Sequence, residues 1–225
     1  MDISGKHFLV VGASGVLGSL IAKRLADGGA TLTIAGRDEE ALVGVGLDDA
    51  HIMTADLREP DAPRALVDGA REHHGSLDGV VIASGIVAFG PTAEIDDDTV
   101  DDLVLVDFLA PLRLTRAALG ALEKGGVIAN ISAVVAEKPV GNMATYSAVK
   151  AAVSALYAGA RPEARRQKIR LLDIRPPHTE TGLVDRAIAG DAPKMPDGID
   201  PASVADRILA ALSSEDTEIA SSEFS

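Results

Sequence analysis

The chain has 225 residues, 47% of them hydrophobic and 24% charged, with no cysteine, a composition that suits a globular fold with a sizeable buried core. A formal net charge of −13 argues against general affinity for nucleic acid or an anionic membrane surface. The lack of cysteine excludes disulfides and thiolate ligands, and with no basic-then-apolar leader and no apolar run near the roughly 20 residues that span a bilayer, a cytoplasmic location is expected.

Short apolar runs alternate with longer segments of helical period, the pattern of βαβ units that build a parallel sheet. Strands are expected over His7–Ala13, Thr31–Ala35, His51–Ala55, Gly79–Ala83, Val127–Ser132, Arg170–Ile174 and Thr217–Ala220. Helices are expected to start near Val16, Glu39, Pro60, Thr99, Tyr146 and Pro201. Runs such as Phe8-Leu9-Val10-Val11 and Val80-Val81-Ile82-Ala83 are apolar on both sides, as strands covered by helices on each face require. The acidic stretch Glu94 to Asp102 reads as a helix start that complements the helix dipole. No linker or repeat interrupts the pattern, so one domain over residues 1–225 is expected, with Gly190–Gly198 as its flexible loop. The five histidines show no local metal-ligand spacing.

In open α/β sheets a ligand lies beyond the carboxyl ends of the strands, where the strand order switches. The first strand runs directly into Gly12-Ala13-Ser14-Gly15-Val16-Leu17-Gly18. Gly12 permits a tight turn, Gly15 lets backbone amides approach a pyrophosphate, and Gly18 lets helix and strand pack closely. The helix that follows offers free N–H groups and the positive end of its dipole. Gly12, Ser14, Gly15, Val16, Leu17 and Gly18 are therefore a candidate cradle for a dinucleotide.

The end of the second strand discriminates between the two nicotinamide dinucleotides, because an acid there binds the ribose 2′-hydroxyl of NAD and a base accommodates the 2′-phosphate of NADP. This chain has Ala35-Gly36-Arg37, which predicts NADP(H) over NAD(H), with Arg37 paired to the phosphate. An exposed arginine before a capped helix is the alternative.

Tyr146-Ser147-Ala148-Val149-Lys150 opens the helix after the fifth strand, and residues four apart share a helical face. A phenol with an ordinary pKa near 10 needs help to exchange protons at neutrality. A lysine ammonium one turn away is expected to pull that pKa down. Lys150 is also placed to reach a nicotinamide ribose.

On these motifs the chain resembles the short-chain dehydrogenases/reductases along nearly its whole length. The resemblance rests on the glycine turn, Asp56-Leu57, the Tyr146/Lys150 pair, and Arg175-Pro176 through Thr181. It implies a three-layer, doubly wound Rossmann fold with a seven-stranded parallel sheet of order 3-2-1-4-5-6-7. It also implies hydride transfer between nicotinamide and a small carbonyl or secondary alcohol, with Tyr146 as general acid/base. Asp56 and Leu57 would contact the adenine, although Asp56 equally suits a capping role. Ala83, Ser84 and Gly85 would line the cofactor, and Pro176 with Thr179 or Thr181 would meet its carboxamide or phosphates. A homodimer or homotetramer is the family's usual assembly.

Several positions depart from the family pattern. The serine that polarises the substrate carbonyl stands thirteen residues before the tyrosine, and here that position is Ala133. Ser132, one residue earlier, and Ser84 are the candidate substitutes. The asparagine of the fourth helix is Asp107, and the asparagine-rich turn after the fourth strand reads Ile82-Ala83-Ser84-Gly85. These departures keep a second reading open, a catalytically weak or silent NADP(H)-binding sensor on the same fold.

Overall fold

The computed structural model describes residues 2–224. The strands β1 His7–Val11, β2 Thr31–Gly36, β3 His51–Thr54, β4 Gly79–Ile82, β5 Val127–Ile131, β6 Arg170–Ile174 and β7 Glu218–Ile219 form one seven-stranded sheet in the order β3-β2-β1-β4-β5-β6-β7. All pairings are parallel, with Val11 opposite Ala35 on one side and Ile82 on the other. The expected topology and the doubly wound architecture are both present.

The apolar-on-both-sides strands divide their side chains between two cores. Phe8, Val10, Val81, Ala129 and Leu172 pack on one face beneath α1 Val16–Asp27, α2 Glu39–Val43 and α7 Pro201–Ser213. Leu9, Val11, Val80, Ile82 and Ile128 pack on the other beneath α3 Ala62–His74, α5 Ala110–Ala121 and α6 Ala144–Arg166. A third apolar cluster, Val87, Phe89, Leu103, Val135, Met143, Tyr146 and Val149, gathers at the carboxyl ends of the strands. Two opposed cores fix the register, since a one-residue slip would exchange the faces of every side chain.

Local chemistry sets the helix ends. Asp38, Asp96 and Asp200 cap α2, α4 Asp97–Val104 and α7 by accepting from the amides of Ala41, Thr99 and Ala202. Asp97 and Asp98 fill the first turn of α4, as expected for the acidic stretch. The helix expected near Thr99 thus begins two residues earlier. Between α4 and α5 the chain makes a π-helical turn, Leu105–Leu109. Pro111 accounts for it, because its ring has no N–H to bond the Asp107 carbonyl and would collide with that carbonyl in a regular helix. Pro162 behaves differently: α6 runs through it to Arg166, so it does not end the helix. No helix among the described residues is long and apolar enough to cross a membrane.

Candidate active site

The strand order switches between β1 and β4, and a cleft of about 460 Å³ opens above their carboxyl ends. Its walls include Gly12, Ser14, Gly15, Val16, Arg37, Asp56, Leu57, Ala83, Ser84 and Gly85. Four loops that sequence alone tied to a cofactor therefore meet at one place. Gly12 has φ +84°, and a Cβ there would lie 2.5 Å from the Ser84 amide nitrogen, so only glycine permits this approach of the β1 and β4 loops. A Cβ on Gly18 would run into the Gly12 carbonyl oxygen, which makes it the close helix–strand contact. Gly15 caps α1 without any side-chain hydrogen bond, leaving the N–H end of that helix open to the cleft. Leu17 packs against the core below.

Arg37 is exposed at the end of β2 on the cleft wall, and among the described residues it makes no hydrogen bond or ion pair. A second arginine, Arg58, also lines the cleft and was not anticipated from sequence. It donates from Nε and Nη2 to the two Asp102 oxygens at 2.6 and 2.8 Å, a planar two-point pairing that only arginine can make. The Arg58 guanidinium, with Arg37 nearby, holds the Asp102 carboxyl below the usual range. Asp56 accepts the Arg58 amide N–H at 3.0 Å while half its side chain stays exposed, so it closes a turn and faces the cleft at once.

Tyr146 and Lys150 stand one turn apart on α6 and are both buried, with the Lys150 ammonium 5.6 Å from the centre of the Tyr146 ring. Lys150 Nζ lies 3.6 Å from Asp107 Oδ1 on the π-turn, with side-chain exposures of 6% and 0%. Asp107 Oδ1 also accepts the Ile86 N–H at 3.1 Å, and its Oδ2 is buried without a partner. Tyr146, Lys150 and Asp107 lie behind the cleft wall rather than on it, and Gly85 of that wall borders two of them, since a Cβ there would sit 3.2 Å from both Asp107 Oδ1 and Lys150 Nζ.

The electrostatics differ from the expectation. Burial raises the Tyr146 pKa above the ordinary phenol value, Lys150 pulls it down, and Asp107 pushes it up again. The net direction is upward, so the pull of Lys150 does not bring this phenol below its ordinary value as the spacing alone implied. Burial acts against the Lys150 ammonium, but Asp107, Tyr146 and Asp173 outweigh it and hold the lysine above its usual value. Burial pushes the Asp107 carboxyl up, opposed by Lys150 and the Ile86 amide.

Ser132 is engaged within the fold. Its hydroxyl is buried and donates to the Lys150 carbonyl oxygen at 3.2 Å, so its proton is committed to α6. It shares a sheet face with Ile128 and Asn130, toward that helix, and so ties β5 to α6. Ala133 instead packs in the apolar cluster that holds Tyr146, and a methyl occupies the family's hydroxyl position. Ser84 Oγ is buried on the cleft side and has no partner. After β6, the Pro176 carbonyl accepts the Val134 N–H, Thr179 Oγ1 donates to the Pro177 carbonyl at 2.9 Å, and Thr181 Oγ1 accepts from Leu183. These three residues brace the loop that carries Leu183, Arg186 and Ile188 onto the cleft wall.

The histidines, unremarkable in sequence, are brought together by the topology. His7, His51, His73 and His74 form one ring cluster at the amino ends of the strands, away from the cleft. Among the described residues no group of three or more His, Cys, Asp or Glu side chains is arranged to hold a metal.

Comparison with known proteins agrees with this geometry. The family model for short chain dehydrogenases matches residues 6–191. An uncharacterised oxidoreductase of Methylorubrum extorquens is 34% identical over 197 residues, covering 84% of this chain and 79% of that protein. Among solved structures, a dehydrogenase/reductase from Sinorhizobium meliloti 1021 aligns with TM-score 0.86 at 26% identity, covering 100% of this chain and 98% of the other. A short chain dehydrogenase from Burkholderia cenocepacia J2315 in complex with NADP aligns with TM-score 0.87 at 26% identity, covering 98% of each chain. The chain belongs to the short-chain dehydrogenases and is an oxidoreductase of the alcohol/carbonyl type.

Proposed function

We propose that the protein reduces a small, largely apolar carbonyl compound with NADP(H), Tyr146 donating the proton. The observation that carries this reading is the buried Tyr146/Lys150 pair, whose lysine borders Gly85 on the wall of the cleft that holds the glycine turn.

The residues present fit a phosphorylated dinucleotide. The open N-terminus of α1 at Gly15 offers amides to a pyrophosphate, Arg37 is free to pair with a 2′-phosphate, and Asp56 with Leu57 borders the adenine end. Ser84 Oγ, buried without a partner, supplies a donor toward the nicotinamide end. When bound, the reduced nicotinamide supplies hydride. Tyr146 then gives its proton to the carbonyl oxygen as negative charge develops there. Lys150 orients the nicotinamide ribose and stabilises the resulting phenolate. Ile86, Val134, Leu183 and Val184, packed around the Tyr146 cluster, exclude water and select an apolar substrate. The unbroken face of α6 past Pro162 supports assembly as a homodimer or homotetramer through that helix.

Ala133, a methyl where the family has its polarising hydroxyl, favours a second reading as a nucleotide-binding sensor with weak or no turnover. NADPH oxidation over a panel of ketones and aldehydes, compared between wild type and Tyr146→Phe, separates the two. The enzyme reading expects turnover that falls by at least about a hundredfold in Tyr146→Phe. Tight NADPH binding with no turnover on the whole panel would favour the sensor.

A further inference from the structure

Lys150 is the nearest cation to Tyr146, and it is not free. Its ammonium faces Asp107 Oδ1 across 3.6 Å in a pocket closed to water. The carboxylate is held there by three features of this chain. The π-turn at Pro111 places position 107 inward, the Ile86 N–H binds Oδ1, and Gly85 leaves room beside both groups, where a Cβ would be a tight 3.2 Å from each. The other charged group acting on Lys150 is Asp173 of β6, whose own carboxylate is bonded to Arg175 Nη1 at 2.6 Å. Among the described residues, the charges that act on Tyr146 are those of Lys150 and Asp107. An amide at position 107 would remove the carboxylate that faces the lysine and leave Asp173, itself paired with Arg175, as its remaining counter-charge.

We propose that Asp107 is a positioning residue that neutralises Lys150 at Tyr146, and so commits the site at neutral pH to giving a proton to a carbonyl rather than taking one from an alcohol. The proposal rests on Tyr146 being the proton donor. In the favoured direction hydride bonds to the carbonyl carbon, the C=O π pair moves onto oxygen, and that oxygen takes the Tyr146 proton. The carbonyl is reduced, the dihydronicotinamide is oxidised, and the phenolate regains its proton from solvent. The reverse direction needs the phenolate before the alcohol can be deprotonated. With Lys150 neutralised, that form is scarce until alkaline pH. Burial and the Asp107 carboxylate both raise the Tyr146 pKa, in agreement with this geometry.

The sequence makes a direct test practical. The chain has two tyrosines and no tryptophan, and the second tyrosine, Tyr157, is fully buried against Thr115 with its pKa pushed far above the ordinary phenol value by burial. The ultraviolet phenolate band of the full-length protein, followed against pH with circular dichroism confirming the fold, therefore has two phenols to report, and the transition of interest is the one that belongs to Tyr146. Tyr146→Phe must remove this transition, which assigns it. Asp107→Asn, close to isosteric, and Asp107→Ser, smaller and uncharged, are both expected to move the midpoint down by about one pH unit or more. A midpoint that stays put or rises in both variants overturns the proposal, whatever Tyr146→Phe does to turnover. A lowered midpoint together with carbonyl reduction that survives Tyr146→Phe would instead remove the catalytic reading, and the directional claim with it.

Discussion

The imidazole rings of His51 and His73 stack 3.8 Å apart and within 5° of parallel, and His74 meets His73 edge-on at 4.6 Å and His7 at 4.2 Å. The His7 ring is spoken for by the Ser76 carbonyl and the Thr33 hydroxyl, whereas His51 Nδ1 and His74 Nε2 are buried without partners. Burial first, and the neighbouring imidazoles next, hold His51 and His74 below the ordinary 6.5. For His7 burial again dominates, opposed first by the hydrogen bond to the Ser76 carbonyl and then by Asp78. Protons therefore bind the unfolded chain more readily than the folded one. The stability they contribute is complete above pH 6.5 and is lost as pH falls below it toward the folded values. Urea unfolding between about pH 7.5 and 5.5, above the range of most carboxylates, should show a steady loss of stability, and His74→Gln should flatten it. An equal acid response in His74→Gln would show that the cluster is not its source.

Arg37 is unpaired at the cleft while Arg58 is engaged by Asp102, so the proposed discrimination between the two dinucleotides is assigned to Arg37. Arg37→Ala should weaken NADPH binding by about tenfold to a hundredfold, the value of one charge-assisted contact, and leave NADH binding within about twofold. Calorimetric titration of both cofactors at one fixed salt concentration checks it. Equal losses for the two would assign Arg37 to the shared part of the molecule or to neither.

Ser132 and Ala133, the two residues directly after β5, separate structure from chemistry. Ser132→Ala deletes a buried hydroxyl that bonds the Lys150 carbonyl, and should cost about 1 kcal/mol of stability with little direct effect on kcat. Ala133→Ser places a hydroxyl in the Tyr146 cluster and should raise kcat by about tenfold or more through an added donor to the developing oxyanion. Denaturant melts and turnover on the same pair of variants test both statements. A kcat collapse in Ser132→Ala at unchanged stability would restore Ser132 as the polarising group.

Much of this was legible in the order of residues. The strands announced themselves because both their faces are buried, which leaves a run such as Phe8 to Val11 without polar interruption. Their ends were less clear: β1 was expected to reach Ala13 but stops at Val11, since Gly12 turns the chain at φ +84°. The glycine turn, Arg37 and the Tyr146/Lys150 pair could be placed because each depends on spacing within one segment. Arg58 could not, as its partner Asp102 lies 44 residues away. The histidine cluster was hidden for the same reason, with β1, β3 and α3 each contributing only one or two rings. The upward shift of Tyr146 comes first from its burial and then from Asp107, and neither the depth of the phenol nor the inward turn of that carboxylate at the π-turn shows in local spacing.

Hydride transfer at the cleft is the centre of this account, and label transfer tests it most directly. NADPH deuterated at both C4 positions, incubated with the protein and a carbonyl that it turns over, should deliver deuterium to the former carbonyl carbon of the product alcohol, as read by mass spectrometry. Tyr146→Phe should slow that delivery by at least about a hundredfold. Cofactor consumption with no deuterium at that carbon would contradict the account.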